Sequence, residues 1–294
     1  MLNKFTQIKH TFEEFAHAYF YKQNIPNSRL QDAMAYSLLD GGKRIRAILS
    51  FLSGKCFGCD LHNIQHIAFA LEAIHAYSLI HDDLPAMDND DLRRGKPTCH
   101  IQFGQATAIL AADALQSLAF QSLSELKDIN LLQLKQTIYM LATHAGSQGM
   151  VTGQQLDICA EGKKQNIHEI EKIHCLKTGK LLTAAILLPF FGSSHHGNHT
   201  IKEYLISFSK CIGLAFQVKD DLLEITSDKS TLGKNNNSDL KLNKSTYPSL
   251  VGIKKTKKRL DELFKESITH LQNLQNFDTK NLIQLAQYII TRTH

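Results

Sequence analysis

Apolar residues at helical spacing run through almost the whole chain and constrain its fold more than any other feature. Ile64, Ile67, Leu71 and Ile74 follow one another at intervals of three and four residues, which places them in one stripe along a helix. No pair of segments alternates apolar and polar residues as the strands of a hairpin do. The same spacing predicts further helices over 106–126, 131–143, 173–190, 201–225 and 282–290.

Nothing in the sequence divides the chain into separate units. The 294 residues contain no internal repeat and no linker rich in Pro, Gly or Ser, and 43% of them are hydrophobic, which is sufficient for one large core. The sequence therefore predicts one all-α domain over 1–294. Residues 226–248 are rich in Asn, Lys, Ser and Asp. They are predicted to form a surface loop, or a lid that brings Lys234 and Lys244 over a charged ligand.

Charge and hydropathy argue against a nucleic-acid partner and against a membrane span. The formal net charge is only +5, and the densest basic run, 254–259, is predicted to be the solvated face of a helix. The longest apolar stretch, 181–191, is too short for a bilayer and is interrupted by Thr183 and Pro189. The first 20 residues lack the core of a signal peptide, and the six cysteines are scattered. We therefore expect a cytoplasmic protein with reduced thiols.

Three carboxylates, Asp82, Asp83 and Asp88, follow an apolar helix and have no basic residue among them. Carboxylates this close raise one another's pKa unless a cation lies between them. Hard oxygen ligands at this density suit Mg²⁺ that is shared with substrate phosphates. Taken alone, the cluster could equally be a solvated acidic turn.

A second acidic cluster makes the metal interpretation stronger. Gln217, Asp220, Asp221 and Glu224 fall at positions i, i+3, i+4 and i+7, on one side of a single helix. The apolar residues just before them predict that this helix packs inside the protein. Burying three carboxylates costs several kcal/mol unless their charge is compensated. Two such clusters on separate helices therefore predict Mg²⁺ ions that bridge a diphosphate between them.

Basic residues near the acidic clusters could bind a second anion. Lys43 and Arg46 lie one turn apart at the predicted start of a helix, after Gly41-Gly42, and Arg93-Arg94 follows the first cluster. Arg binds phosphate through two hydrogen bonds and Lys acts as a point charge. Each of these residues could also be an ordinary surface charge. Together they predict one pocket lined by metal ions and one lined by basic side chains.

These motifs resemble those of a known family. The segment 73–88, which ends in Asp82-Asp83-Leu84-Pro85-Ala86-Met87-Asp88, and the following Arg93-Arg94-Gly95 are similar to the first aspartate-rich motif of short-chain trans-prenyl diphosphate synthases of the bacterial farnesyl type. Gly41 to Arg46, Lys177-Thr178-Gly179, 216–221 and 231–234 are similar to the family's other motifs, in the same order.

The resemblance implies a fold and a reaction. The fold is an all-α, isoprenoid synthase-like helical bundle around a central active-site cavity, usually in a homodimer. The reaction joins isopentenyl diphosphate head to tail with dimethylallyl or geranyl diphosphate and, in the farnesyl type, gives farnesyl diphosphate. An allylic cation forms, the alkene of isopentenyl diphosphate attacks it, and a proton then leaves. No side-chain base is evident, and the departing diphosphate is the expected proton acceptor.

The resemblance also implies a role for each motif residue. Three Mg²⁺ ions are expected on Asp82, Asp83, Asp88, Asp220, Asp221 and Glu224. The allylic diphosphate is expected on Arg93, Lys177 and Lys234, and isopentenyl diphosphate on Lys43, Arg46, His75 and Arg94. Thr178 and Gln217 are expected to stabilise the allylic cation through their oxygen dipoles and, with Lys177, to form the catalytic group.

Two positions depart from the family pattern, and four rival functions stay open. Glu224 stands where the family usually has Asp, and Asn243 stands where it usually has Gly before Lys244. The nearest rivals are geranyl and geranylgeranyl diphosphate synthases. A terpene cyclase would leave the set of Lys43, Arg46 and Arg94 without a use. A non-catalytic partner subunit should have lost carboxylates that this chain retains.

Product length is predicted from two residues on the helix before the first acidic cluster. Tyr77 and Ser78 precede Asp82 by five and four residues, roughly 6–7.5 Å back along the helix axis. A growing chain anchored at Asp82 would meet the bulky Tyr77 as the floor of its cavity, while the small Ser78 leaves room above it. Tyr77 could instead pack in an interface between helices. Farnesyl-producing members of the family are similar in having an aromatic residue near this position, so the resemblance implies a C15 product.

Overall fold

A computed structural model describes residues 2–226 and 245–293. Within these ranges 76% of the residues are helical and almost none are in strands, which confirms the predicted all-α class. In chain order the α-helices are α1 (Leu2–Lys22), α2 (Ser28–Leu38), α3 (Ile45–Phe57), α4 (Leu61–Asp82), α5 (Cys99–Phe103), α6 (Gln105–Ser124), α7 (Leu131–Ala145), α8 (Met150–Ala160), α9 (Ile167–His174), α10 (Lys180–Phe191), α11 (His199–Thr226), α12 (Tyr247–Val251), α13 (Ile253–Gln272) and α14 (Lys280–Thr291).

Helices α4 and α10 lie at the centre of the fold. The predicted stripe of α4, from Ile64 to Ile74, is completely buried, and so is every residue of α10 after Lys180. Helices α3 and α4 pack very closely, because a Cβ atom at Gly54 would lie 2.4 Å from the side chain of Ile64. The core is therefore continuous around the helix that ends in the first acidic cluster.

The helix predicted over 173–190 is interrupted by a π-helical turn, Cys175–Gly179, between α9 and α10. Two glycines of other helices allow this turn to pack closely. A Cβ atom at Gly153 of α8 would lie 2.1 Å from the backbone nitrogen of Lys177, and one at Gly213 of α11 would lie 3.0 Å from Cα of Gly179. The turn is thus fixed from two sides, and short π-helical turns often occur at functional sites.

The only strands in the described ranges form a minimal hairpin after α4. Strand β1 (Leu92–Arg93) pairs antiparallel with β2 (Lys96–Pro97), so that Arg93 lies opposite Lys96. Arg94, at the tip, has a left-handed backbone with φ of 55°. This hairpin was not predicted, because two residues per strand are too few for an alternating pattern.

One continuous helical stretch, Ile167–Phe191, is long and apolar enough to cross a membrane by composition alone. Its most apolar 18-residue window is 72% buried inside the protein, where α10 packs on α3, α7 and α11. The stretch is therefore accounted for as a core helix, in agreement with the prediction that 181–191 is not a membrane span.

Candidate active site

The first acidic cluster lies at the carboxyl end of α4. Asp82 is the last residue of the helix, Asp83 caps it, and the backbone amide of Asp88 donates to the carbonyl of Asp82 over 2.9 Å. Carboxylates in this position face the negative end of the helix dipole. Burial raises the pKa of Asp82 and repulsion from Asp88 and Asp83 adds to it, while Lys177 and Arg93 oppose the rise. A further cation among these carboxylates would stabilise their ionised forms.

Two cationic side chains contact this cluster. Nε of Arg93 donates to both oxygens of Asp83 at 2.8 Å. Nζ of Lys177, on the π-helical turn, lies 2.8 Å from Oδ2 of Asp157 on α8 and 3.7 Å from Oδ2 of Asp82. Burial lowers the pKa of Lys177, but the attraction of these carboxylates outweighs burial and the pKa is raised. Lys177 therefore remains charged beside the cluster.

The second acidic cluster lies near the end of α11, and its two aspartates have different surroundings. Asp220 has a half-exposed side chain whose Oδ1 accepts a hydrogen bond from Nη2 of Arg292 at 2.7 Å. Asp221 is buried, and its Oδ2 accepts a hydrogen bond from the backbone nitrogen of Tyr247 at 2.7 Å and lies 3.2 Å from Nε2 of His174. Asp221 therefore joins α12 to α11, a structural role that the sequence did not predict.

The donor set fits Mg²⁺ that is shared with a phosphate ligand. Both clusters offer carboxylate oxygens, and the pKa of the half-buried Asp82 is raised although Lys177 and Arg93 oppose the rise. Within residues 2–226 and 245–293, no group of three or more His, Cys, Asp or Glu side chains is close enough to enclose a metal ion. Mg²⁺ in phosphate-binding enzymes is commonly held by one or two carboxylates, with substrate phosphates and water as the other ligands. The arrangement suits such ions better than a site made of protein ligands alone.

The Gly41–Arg46 segment packs directly against Arg94 at the tip of the hairpin. Nη1 of Arg94 donates to the carbonyl of Gly41 over 3.1 Å. A Cβ atom at Gly42 would lie 2.9 Å from Cζ of Arg94, and the φ of Gly42 is +104°, a conformation that other residues rarely adopt. Glycine at this position therefore lets the guanidinium of Arg94 lie on the segment that carries Lys43 and Arg46.

Arg46 and His75 lie within a field of positive charge. Nε of Arg46 is buried and has no hydrogen-bond partner in the part of the chain that the structure describes. The pKa of His75 lies well below its ordinary value, first because the ring is buried and then because Arg46, Arg94, Arg93 and Arg44 repel a proton. His75 is therefore neutral. A buried donor without a partner, beside several cations, favours the binding of an anion.

The basic segment also lies close to the second acidic cluster. Burial lowers the pKa of Lys43, the charge of Arg292 lowers it further, and Asp220 opposes this. The charge of Asp220 also opposes the lowering of the pKa of Arg46 by burial. The charge of Asp220, near the end of α11, therefore acts on residues at the start of α3, although the two segments are far apart in sequence.

The remaining predicted residues are placed as follows. Thr178 is half-buried beside Lys177 on the π-helical turn, and Gln217 is half-buried one turn before Asp220 on α11. Glu224 is half-buried one turn after Asp220. The predicted phosphate ligand Lys234, the motif 231–234 and Lys244 lie outside the described residues.

Tyr77 and Ser78 face different neighbours. Tyr77 is buried, and its ring meets that of His81 edge to face at 5.6 Å. Burial raises the pKa of its hydroxyl, and the side chain of Gln116 on α6 opposes this rise. Ser78 is half-buried, and its Oγ donates to the carbonyl of His75 over 2.8 Å. Tyr77 therefore lies against α6, and Ser78 lies on the side of α4 that carries His75. Their effect on chain length stays a prediction.

Comparison with known proteins shows the family of the chain. A profile of the family described as polyprenyl synthetase matches residues 27–281. The chain belongs to this family. The farnesyl diphosphate synthase of Haemophilus influenzae is 46% identical to this polyprenyl synthetase over 286 residues, which cover 97% of this chain and 96% of that protein. The resemblance found in the motifs is thereby confirmed.

Solved structures of other proteins superpose on nearly the whole length of this polyprenyl synthetase. A geranyltransferase from Legionella pneumophila superposes with a TM-score of 0.87 at 33% identity, covering 99% of this chain and 97% of that one. A geranyltransferase from Helicobacter pylori, in complex with magnesium and isoprenyl diphosphate, has a TM-score of 0.81 at 29% identity and covers 98% of this chain and 95% of that one. The predicted isoprenoid synthase-like fold is confirmed.

Two residues at the site of this polyprenyl synthetase were not predicted from the sequence. Asp157 of α8 contacts Lys177, and Arg292 follows α14 and contacts Asp220. The guanidinium of Arg292 is also stacked over the ring of Phe216, 4.5 Å from its centroid. No sequence signal marks either residue, because each is a single charge whose partner is 20 or 72 residues away along the chain.

Proposed function

We propose that this polyprenyl synthetase is a Mg²⁺-dependent farnesyl diphosphate synthase. It condenses isopentenyl diphosphate head to tail, first with dimethylallyl diphosphate and then with geranyl diphosphate. The relationship to the Haemophilus influenzae enzyme supports the activity and the C15 product. The observation that carries the proposal is the pair of adjacent anion sites. One consists of the carboxylates around Asp82, which would bind a diphosphate through Mg²⁺. The other consists of Arg46, His75 and Arg94, which would bind a diphosphate without metal.

The carboxylate site binds the allylic substrate. Asp82, Asp83, Asp88, Asp220 and Glu224, with the remaining oxygen of Asp221, are the proposed ligands of three Mg²⁺ ions. When bound, Mg²⁺ neutralises the charge that develops on the departing diphosphate. The Helicobacter pylori complex, which contains magnesium and isoprenyl diphosphate, supports the metal but leaves the number of ions as our proposal.

The chain's own cations and dipoles complete this site. Lys177 and Arg93 contact the carboxylates directly, so each is held where a phosphate oxygen can be reached. Lys234 is proposed as a third phosphate ligand. Thr178 and Gln217 are proposed to direct their side-chain oxygens towards the allylic carbon, where a fixed dipole stabilises positive charge.

The basic site binds isopentenyl diphosphate through Lys43, Arg46, His75 and Arg94. The unpartnered Nε of Arg46 supplies a donor that is already desolvated. His75 is neutral and therefore positions the diphosphate by a hydrogen bond rather than by transferring a proton. We infer no side-chain base, and the departing diphosphate takes the proton. A terpene cyclase has one diphosphate substrate and would not need this second site.

Truncating Arg46 provides a test of the two-site arrangement. Arg46→Ala is expected to raise the Michaelis constant for isopentenyl diphosphate about ten- to hundredfold, because a charge-assisted hydrogen bond contributes roughly 1.5–3 kcal/mol. The constant for the allylic substrate should change much less. Steady-state kinetics with each substrate varied in turn measure both values. Lys55→Ala, at an exposed position near the other end of α3, is the matched control. An equal rise in both constants would show that the two sites are wrongly assigned.

The proposed product is tested by a direct assay. The purified protein is incubated with isopentenyl and dimethylallyl diphosphates and Mg²⁺, and the dephosphorylated products are identified by gas chromatography and mass spectrometry. A C15 alcohol is expected. A C10 or C20 alcohol would instead identify a geranyl or geranylgeranyl diphosphate synthase. Hydrocarbon formed from geranyl diphosphate alone would indicate a cyclase, and no product at all would indicate a non-catalytic subunit.

A homodimer is also proposed, and an exposed apolar surface supports it. Helices α6 and α7 expose the large apolar side chains Ile109, Leu110, Leu131, Leu132 and Tyr139, the first by 42% and Leu131 by 80%. Neighbouring exposed apolar residues often mark a surface that another protein chain covers.

A cytoplasmic location is also proposed. Free rather than paired cysteines, together with the buried Ile167–Phe191 stretch, support it.

A further inference from the structure

A buried carboxylate, Glu72, lies behind the basic site on α4. It is 3% exposed and precedes His75 by one helical turn. Oε1 of Glu72 accepts a hydrogen bond from the backbone nitrogen of Ala47 at 3.1 Å, and Oε2 lies 3.5 Å from Nη1 of Arg44. A buried ion destabilises a protein unless its surroundings compensate it. The neighbours of Glu72 therefore indicate what the carboxylate does.

The contact with Ala47 replaces a missing helix cap. Arg44 occupies the N-cap position of α3 with φ of 51°, and its own side chain makes no capping hydrogen bond. Ala47 is the third residue of this helix, whose amide a capping side chain normally satisfies. The carboxylate of Glu72 satisfies that amide from α4 and also lies at the positive end of the α3 dipole. The cap is thus supplied across the interface between two helices.

The contact with Arg44 fixes a strained backbone. A left-handed conformation is unfavourable for a residue with a Cβ atom and persists only where the surroundings hold it. The side chain of Arg44 is 3% exposed, contacts Glu72 and Glu13, and lies over the ring of Phe12 at 5.8 Å from its centroid. These contacts hold Arg44 in place, between the positive-φ glycines 41 and 42 and the first turn of α3.

Glu72 is also the counter-charge for the arginines of the basic site. Burial lowers the pKa values of Arg46 and Arg94, and the charges of other arginines lower them further. Glu72 opposes this decrease for both residues. Because Glu72 is buried, it offsets the charge of these arginines without being accessible to an incoming diphosphate.

We infer that Glu72 is the positioning residue of the isopentenyl diphosphate site. Its carboxylate caps α3 and holds Arg44, and in this way it fixes Arg46 and Arg94 together before the substrate arrives. This inference rests on the proposed function, since it concerns the basic site assigned there. It adds a residue that makes no contact with the substrate.

The test is the isosteric change Glu72→Gln, which removes the charge and keeps an oxygen for the amide of Ala47. The dissociation constant of isopentenyl diphosphate, measured by calorimetry, is expected to rise at least about tenfold, and the Michaelis constant of the allylic substrate should stay within about twofold. Glu125→Gln is the matched control, because Glu125 also accepts a hydrogen bond, from Tyr19 at 2.7 Å, but lies at the end of α6. An unchanged affinity for isopentenyl diphosphate, or equal losses for both substrates, would overturn the inference.

Two further measurements separate this inference from the proposed function and from a folding defect. Hydrogen exchange at the Ala47 amide of the ligand-free protein should be faster in Glu72→Leu than in the wild type, whatever the substrate is. If Glu72→Gln does not fold, Arg44→Met removes the same ion pair from its other side, and a selective loss of affinity for isopentenyl diphosphate is again expected. Unchanged exchange and unchanged affinity in these variants would contradict the positioning role. Failure of the wild type to bind isopentenyl diphosphate would instead contradict the proposed function.

Discussion

Asp82→Ala is expected to reduce turnover by several orders of magnitude, because the carboxylate proposed to hold Mg²⁺ against the departing diphosphate is lost. Asp220→Ala, in the second acidic cluster, should also reduce turnover by several orders of magnitude. EDTA should abolish the activity of the wild type, and added Mg²⁺ should restore it. Initial rates with saturating substrates, measured with and without the chelator, provide the comparison.

Controls distinguish loss of metal binding from loss of structure. Asp113→Ala, at an exposed position of α6, should retain full activity. The melting temperature of the metal-free Asp82→Ala protein is not expected to fall, because the raised pKa of Asp82 shows that its ionised form is disfavoured in the folded chain. Full turnover in chelator, or in either cluster variant, would be incompatible with the metal-dependent mechanism.

Tyr77→Ala is expected to shift the product from C15 towards C20 and longer chains. The substitution removes the aromatic side chain that lies against α6 at the proposed floor of the cavity. Ser78→Phe should have the opposite effect and shift the product towards C10. Ser78 is on the side of α4 that carries His75, so a phenyl ring there would block the chain earlier. Chromatography of the dephosphorylated products measures both distributions.

The two substitutions act as controls for each other. A general loosening of the site would lengthen products or reduce activity in both variants, whereas a steric floor predicts opposite shifts. If both variants release only the wild-type chain length, Tyr77 serves as packing between α4 and α6 and the floor lies elsewhere.

Much of the fold followed from the sequence because a helix is stabilised by contacts within one or two turns. The stripe from Ile64 to Ile74 lies on α4, and the predicted segments 131–143 and 201–225 lie on α7 and α11 with small differences at their ends. The π-helical turn Cys175–Gly179 was not predicted. Its place depends on Gly153 and Gly213 of other helices, whose close approach leaves no trace in local periodicity.

The ligand chemistry of the candidate site was also evident from residue type and spacing. Carboxylates at 82, 83 and 88 and on one side of α11 indicated Mg²⁺, because repulsion among them is local and needs no tertiary information. The sequence likewise indicated Lys43, Arg46 and Arg94 as an anion site. It did not show that the oxygen of Asp221 is taken by Tyr247 and His174, since these residues come from other helices.

The sequence by itself therefore determined which segments are helical and which side chains carry charge at the site. The tertiary structure alone decided which opposite charges meet. Lys177 pairs with Asp82, Arg292 with Asp220 and Glu72 with Arg44, over separations that range from tens of residues to nearly a hundred along the chain. Periodicity reports the face of one helix, whereas each of these pairs depends on how two helices pack. That packing is set by the shapes of buried side chains and glycines throughout the core.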